Sequence, residues 1–230
     1  MPVNADEVRT SLFPGNWQLI TGNYFMSIAI INYGMGNLRS VQKAFEQVGH
    51  AAHVVNTTDA IDSADRVVLP GVGAFRDAVR TLRGSGLVEP LMRHIERGRP
   101  MLGICLGLQM LFDVGEEDGT HEGLGLIGGK CVRFDVDTTL GLKVPHMGWN
   151  QLDIQTPCPL FKNLPDRANV YFVHGFHVMP TNPHVIASTT DYGRPFVSAV
   201  WRDNVVATQF HPEKSQKIGL QILENFALMK

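Results

Sequence analysis

The sequence predicts an α/β fold: a central, mostly parallel β-sheet flanked by helices, with an antiparallel β extension in its second half. Three observations predict it. From Ser27 the chain repeats an apolar strand, a glycine turn and a helix, an order that implies parallel strands with helices on both faces. The first strand candidate, SIAII, is a continuous apolar run, as expected of a strand covered on both sides. After about residue 128 the texture changes to short strand-like stretches between turn residues, several of them alternating in polarity.

Each element has its own signal. SIAII at 27–31 is the first strand, broken by YGMGN. Leu38, Val41, Phe45 and Val48 then recur at helical spacing, and Gly49 closes that helix. AAHVVN at 51–56 is the second strand. RVVLP at 66–70 is the third and runs into PGVG at 70–73. Helical segments near 74–83 and 87–97 lead to MLGIC at 101–105, the fourth strand, and LGLQMLF at 106–112 is a good helix former. In the second half, KCVRFDV, WNQLDIQ, NVYFVHGFHV, VIASTT, FVSAVWR and VVATQF read as strands. The last segment, from Ser215, is a helix with Ser215 as its N-cap and Ile218, Ile222, Phe226 and Met229 as its inner stripe.

Residues 1–25 have no periodicity and are set apart as an N-terminal extension, leaving 26–230 as one domain. Met26 stands directly before the first strand, where a second start codon would fall. The extension is not a secretory signal, because its start is acidic at Asp6 and Glu7 and it has no unbroken apolar core.

Composition excludes several classes of function. A chain of 230 residues buries enough surface for a core without staples. With 44% hydrophobic and 18% charged residues and a net charge of −2, nothing favours a nucleic-acid backbone or an anionic membrane. No apolar run reaches the ~18 residues of a membrane span. Three widely spaced cysteines, Cys105, Cys131 and Cys158, argue against a disulfide framework and for a reducing compartment, the cytoplasm. The H-x-x-H at 174–177 lies in a strand-like run without cysteine partners, so no metal is expected.

The chemistry is concentrated in two places. In GICLG at 103–107, glycines two residues to either side of Cys105 remove bulk at a strand-to-helix junction. That lifts the thiol clear of the sheet edge, as in a nucleophile elbow. A helix N-terminus there favours thiolate, the reactive form. In FHPE, His211 and Glu213 are two apart and face one side of an extended chain. A carboxylate behind the ring fixes its tautomer and stabilises imidazolium. A sheet brings such strand ends together, which gives a cysteine nucleophile, a histidine acid/base and an orienting carboxylate. Acyl transfer also needs two convergent oxyanion donors. The Leu106 N–H beside the nucleophile is one candidate, and Val72 or Gly73 in PGVG is the other.

With these residues in view, the chain resembles the class I (triad-type) glutamine amidotransferases. The segments that carry the resemblance are INYGMGNLRSV, LPGVGAF, GICLGLQMLF, EGLGLI, VPHMGWN, YFVHGFHV and QFHPEKSQ, spread over almost all of 26–230. PHMGWN and YGMGN are closest to the glutaminase subunits of imidazole glycerol phosphate synthases, of histidine biosynthesis. The resemblance implies a flavodoxin-like sheet, glutamine as substrate, no cofactor, and a heterodimer with a cyclase subunit that is a (β/α)8 barrel. It implies that Gln109, one helical turn beyond Cys105, reaches the substrate, and that Glu117 binds its α-amino group. The backbone of His174, Gly175 and Phe176 then lines the rest of the pocket. The commoner serine-tyrosine pair after that histidine is absent here, so backbone N–H groups must replace a hydroxyl. Asn32 stands where the family often has aspartate. Asn37, the loop of Pro145, His146, Met147, Gly148, Trp149 and Asn150, and Lys214 match interface positions. Trp149 with Met147 suits an apolar anchor, the alternative being that Trp149 belongs to the core.

Two other readings compete on the residues. A dinucleotide-binding protein is disfavoured because GLGLIG at 123–128 follows an acidic loop, and YGMGNLRS lacks the third glycine. A cysteine peptidase or redox-type protein on a similar fold could use the same elbow and base. The glutamine-sized set of Gln109, Glu117 and the His174 strand argues against it.

Overall fold

The computed structural model describes residues 27–230 apart from 138 and 140. The expected extension over 1–25 and the Met26 start lie outside the described residues. Five strands make the parallel half of the main sheet: β1 (Ile28–Ile31), β2 (Ala52–Val55), β3 (Arg66–Gly71), β4 (Met101–Cys105) and β14 (Val205–Thr208), in the order β2-β1-β3-β4-β14. All four residues of β1 are buried, and they alternate between two cores. Ile28 and Ile30 join Phe45 of α1 (Leu38–Gln47) and Phe226 of α6 (Gln216–Ala227) on one face. Ala29 and Ile31 join Ile61, Leu82 and Leu91 of α2 (Thr58–Ser63), α3 (Phe75–Gly84) and α4 (Val88–Glu96) on the other. Two-faced burial is what made β1 a continuous apolar run.

Beyond β14 the same sheet continues through β13 (Pro195–Arg202), β11 (Phe176–Pro180) and β7 (Ile127–Arg133), each antiparallel to the strand before it, while β7 is parallel to the strand that follows it in the sheet. It ends on β5 (Phe112–Gly115) and β6 (His121–Glu122), and β12 (Ile186–Asp191) and β9 (Asp153–Ile154) branch from β13. A separate two-stranded sheet pairs β8 (His146–Gln151) with β10 (Asn169–His174).

Three expectations are corrected. The helix expected over 106–112 is a single turn, α5 (Leu106–Gln109), and Phe112 already opens β5. Leu106, Leu108, Met110, Leu111 and Phe112 are all buried, so this stretch is apolar all round and its pattern does not distinguish helix from strand. The run 169–178 is two strands of different sheets, parted at Gly175. Ser215 flanks α6 without capping it. Its hydroxyl donates to His211 O at 2.7 Å and accepts from Tyr171 N at 2.9 Å, tying β10 to the turn after His211. The short α2, β5 and β6 carry too few periodic residues to have been predicted.

Candidate active site

β4 ends at Cys105, whose backbone lies at φ 55°, ψ −107°, outside the ordinary range for a residue with a side chain. Its flanking glycines are required by close packing. A Cβ at Gly107 would stand 1.9 Å from Leu69 O of β3, and one at Gly103 3.0 Å from the Ala207 Cβ of β14. The turn is therefore pressed onto both neighbouring strands, and the Cys105 side chain leaves at the sheet edge.

β14 runs parallel beside β4 with Thr208 opposite Ile104, so the residues after Thr208 emerge at that same edge. His211 is buried, and its Nδ1 lies 2.7 Å from Glu213 Oε1, itself almost wholly enclosed. The pairing arises differently from the sequence argument. Pro212–Lys214 form a 3-10 turn rather than extended chain, and the turn folds Glu213 back onto the ring. With Nδ1 committed, Nε2 is the atom left to address the sulfur, and no hydrogen bond closes on it in this geometry. Burial opposes charge on the ring. The Cys105 sulfur and the Glu213 carboxylate outweigh it and lift the His211 pKa to about 10.

Cys105 and His211 open on one cleft of about 510 Å³. The oxyanion candidates Val72, Gly73 and Leu106 line it, as do Gln109, Glu117, His174, Gly175 and Phe176. Glu117 spends one oxygen on the Phe75 N–H at the start of α3, 2.6 Å away. Gln109 spends its amide nitrogen on Phe176 O at 3.3 Å and on Gln209 Oε1 at 3.1 Å, leaving its own oxygen as an acceptor. Arg133 at the end of β7, Val173 of β10 and Val144 just before β8 also line the cleft and were not predicted, since they are far apart in the chain and only the fold brings them together. Two more residues were missed. The Gln209 amide lies against the Cys105 sulfur, and the Tyr33 phenol is buried without a hydrogen-bond partner, its pKa raised by burial and by Cys105.

Strand alternation sorts the interface candidates. On β8, Met147 and Trp149 point outward, 62% and 48% exposed, so Trp149 is not core. It meets Tyr171 of β10 edge-on at 6.0 Å, and Lys214 lies 5.9 Å over that same ring. Asn37 and Pro145 are exposed, while Gly148 and Asn150 are half-buried. His146 is the exception. It points inward, is 3% exposed, stacks on Phe172 and bonds to His174, so it has no surface to offer a partner.

Among the described residues no group of three or more His, Cys, Asp or Glu is placed to hold a metal ion, and His174 and His177 lie on different strands. GLGLIG runs into β7, not into a helix. All three cysteines are free. Burial pushes the thiols of Cys131 and Cys158 up, the latter to about 12, which keeps both protonated.

Residues 29–229 match the family Glutamine amidotransferase class-I. "Imidazole glycerol phosphate synthase subunit HisH" of Syntrophotalea carbinolica is 59% identical over 205 residues, 88% of this chain and 100% of that protein. The protein of the same name from Aquifex aeolicus is 51% identical over 87% of this chain and 96% of its own. The PurLQS structure of Thermotoga maritima superposes with a TM-score of 0.68 at 18% identity, covering 87% of this chain and 96% of that one. That last likeness concerns the fold alone.

Proposed function

The chain belongs to the glutamine amidotransferase class-I family, and from its 59% identity to an imidazole glycerol phosphate synthase subunit we infer that it is the glutaminase subunit of such a synthase. It takes ammonia from the side-chain amide of glutamine and serves histidine biosynthesis together with a cyclase subunit. The observation that carries the chemistry is the single cleft shared by Cys105 and the His211–Glu213 pair.

In our reading the Cys105 thiolate attacks the carboxamide carbon of glutamine. A C–S bond forms and the carbonyl electron pair moves to oxygen. The N–H groups of Leu106 and of Val72 or Gly73 receive that charge, a contribution of roughly 100-fold or more per donor. His211 Nε2 gives its proton to the leaving nitrogen, ammonia departs and a thioester remains. The same Nε2 then deprotonates water, which attacks the thioester and releases glutamate. Glu213 holds Nδ1 throughout. Acid–base help of this kind contributes roughly 100- to 10,000-fold. The second oxygen of Glu117 takes the α-ammonium, a charge-assisted contact. The Gln109 oxygen accepts from the substrate, and the His174–Phe176 backbone closes the pocket. No hydroxyl follows His174, so N–H groups supply the contacts there.

Ammonia protonated in bulk water is no longer a nucleophile, so it must pass to the cyclase along a protected route. We propose that the cyclase is a (β/α)8 barrel and docks as a heterodimer on the face of Asn37, Met147, Trp149 and Lys214, beside the mouth of the cleft. The pair works in the cytoplasm. Among the described residues no helix is long and apolar enough to cross a membrane.

The test is glutamate release from glutamine, assayed with and without the cyclase. Release that needs Cys105 and rises with the cyclase is expected. Cleavage of peptides, with none of glutamine under either condition, would replace this reading by the peptidase one. In the same assay Trp149→Ala is expected to raise the half-saturating cyclase concentration by roughly 30-fold, the scale of an interface hot spot near 2 kcal/mol. An unchanged value would move the docking face elsewhere.

A further inference from the structure

Gln209 precedes the Phe210–His211 corner and is fully buried. The reaction as described gives it no part. Yet its Nε2 lies 3.6 Å from the Cys105 sulfur, within the range of an N–H···S hydrogen bond.

The direction of that contact is set by neighbours that have no freedom. The Phe176 carbonyl can only accept. It receives Gln109 Nε2 at 3.3 Å and His174 Nδ1 at 2.7 Å. Gln109 must therefore present its NH₂ on that side, and its other N–H goes to Gln209 Oε1 at 3.1 Å. The Gln209 oxygen is thereby taken, and its NH₂ turns to the sulfur. Reversing Gln109 sets oxygen against oxygen at Phe176 and Gln209, and reversing Gln209 sets its NH₂ against that of Gln109.

The far side of the Phe176 carbonyl is locked in the same manner. Burial keeps the His174 ring neutral, with a pKa of about 3, so the proton on Nδ1 leaves Nε2 as an acceptor. His146 Nδ1 fills it at 3.2 Å. Burial keeps His146 neutral too, at about 4, and its Nε2 accepts from Asn150 Nδ2 at 3.3 Å. The Asn150 amide is itself fixed, by Gln151 N–H on its oxygen and by Asp191 O on its nitrogen, both at 2.8 Å. A one-way chain of donors thus runs from the strand that carries Trp149 to the Phe176 carbonyl. A second chain runs from that carbonyl, through Gln109 and Gln209, to the sulfur.

We propose that Gln209 is a further catalytic residue, whose amide N–H hydrogen-bonds the Cys105 sulfur and favours thiolate over thiol, with Gln109 and the Phe176 carbonyl holding the amide in that orientation. This rests on the reading of Cys105 as the nucleophile. A hydrogen bond to a charged acceptor is worth more than one to a neutral acceptor, so the contact selects the ionised form. It acts twice: on the attacking thiolate, and again when the thioester C–S bond breaks and the electron pair returns to sulfur. The other titratable groups that act on Cys105 are the His211 ring, the Tyr33 phenol and the Cys131 thiol. Burial keeps the last two uncharged, which leaves His211 and Gln209 to stabilise the anion.

The experiment measures alkylation of Cys105 by iodoacetamide, read on its own peptide by mass, in the full chain bound to the cyclase. Iodoacetamide needs no glutamine pocket, so the rate reports the sulfur rather than substrate binding. Gln209→Met removes the donor. Gln209→Asn keeps the amide but withdraws it by one methylene, and it decides the matter should the methionine variant not fold. Both are expected to slow alkylation near neutral pH by about ten-fold and to converge on the wild type in alkali, where the thiol ionises unaided. Glutamate release falls in parallel. A lowered melting temperature with unchanged alkylation would reduce Gln209 to scaffolding and overturn the proposal. If instead Cys105→Ala still hydrolyses glutamine, the nucleophile assignment beneath it is what fails.

Discussion

Replacing Cys105 by alanine is expected to cut glutamate release by roughly 10,000-fold or more, while the complex continues to make product from added ammonium salt. The two halves of that result test different things. The first follows because the thioester route ends with the sulfur. The thiols of Cys131 and Cys158 are buried in the two cores, so neither takes over. The residual rate is what binding and the oxyanion donors supply without a nucleophile. The second follows because the cyclase needs ammonia, not this thiol. Alanine keeps the Cβ that the elbow already accommodates at φ 55°, so the turn is disturbed little and docking survives. Cys105→Ser fits the same space, but its hydroxyl ionises far less readily and is expected to be nearly as inert. Glutamate release and ammonium-dependent synthesis, measured side by side, give the answer. Retention of more than a few per cent of release would mean that another group opens the amide.

Much of this was legible before any coordinates, and the reasons are local. Ile28–Ile31 and Val67–Leu69 are apolar on both faces because helices cover both faces, and a two-sided strand cannot hide in a pattern. The elbow was legible because two glycines flank one thiol, and the packing at Gly107 shows why no other residue fits. His211 and Glu213 were legible as a pair, although a 3-10 turn rather than an extended chain unites them. What could not be read depends on contacts across the fold. The segment 106–112 is buried all round, which erases the helical period. Gln209 stands in the same segment as His211, but nothing in the sequence gives it a part until β14 sets it beside β4. His146 sits between two outward-looking residues, and only the pairing of β8 with β10 turns it inward.

Glu213→Gln is expected to cost roughly 100- to 10,000-fold in glutamate release and to change how stability depends on pH. The side chain keeps its shape, so the loss isolates charge. Glu213 Oε1 holds His211 Nδ1 at 2.7 Å, and its Oε2 is buried with no hydrogen-bond partner, so the carboxylate's main commitment is to that ring. With an amide in its place the ring keeps at most a neutral acceptor, and burial, the largest influence on His211, gains ground. The imidazolium that must protonate the leaving nitrogen then becomes harder to form. The sign of the stability effect follows from linkage. The folded pKa of His211 is raised, to about 10, above an unfolded value near 6.5. Its contribution is therefore complete below about pH 6.5 and is lost as pH climbs through about 10. Melting temperatures taken from about pH 6 to 10 should fall with rising pH in the wild type and fall less steeply in Glu213→Gln, because less protonation free energy is left to lose. Parallel curves, together with an undiminished rate, would mean that the ring is oriented and charged without this carboxylate, and that the sulfur alone lifts His211.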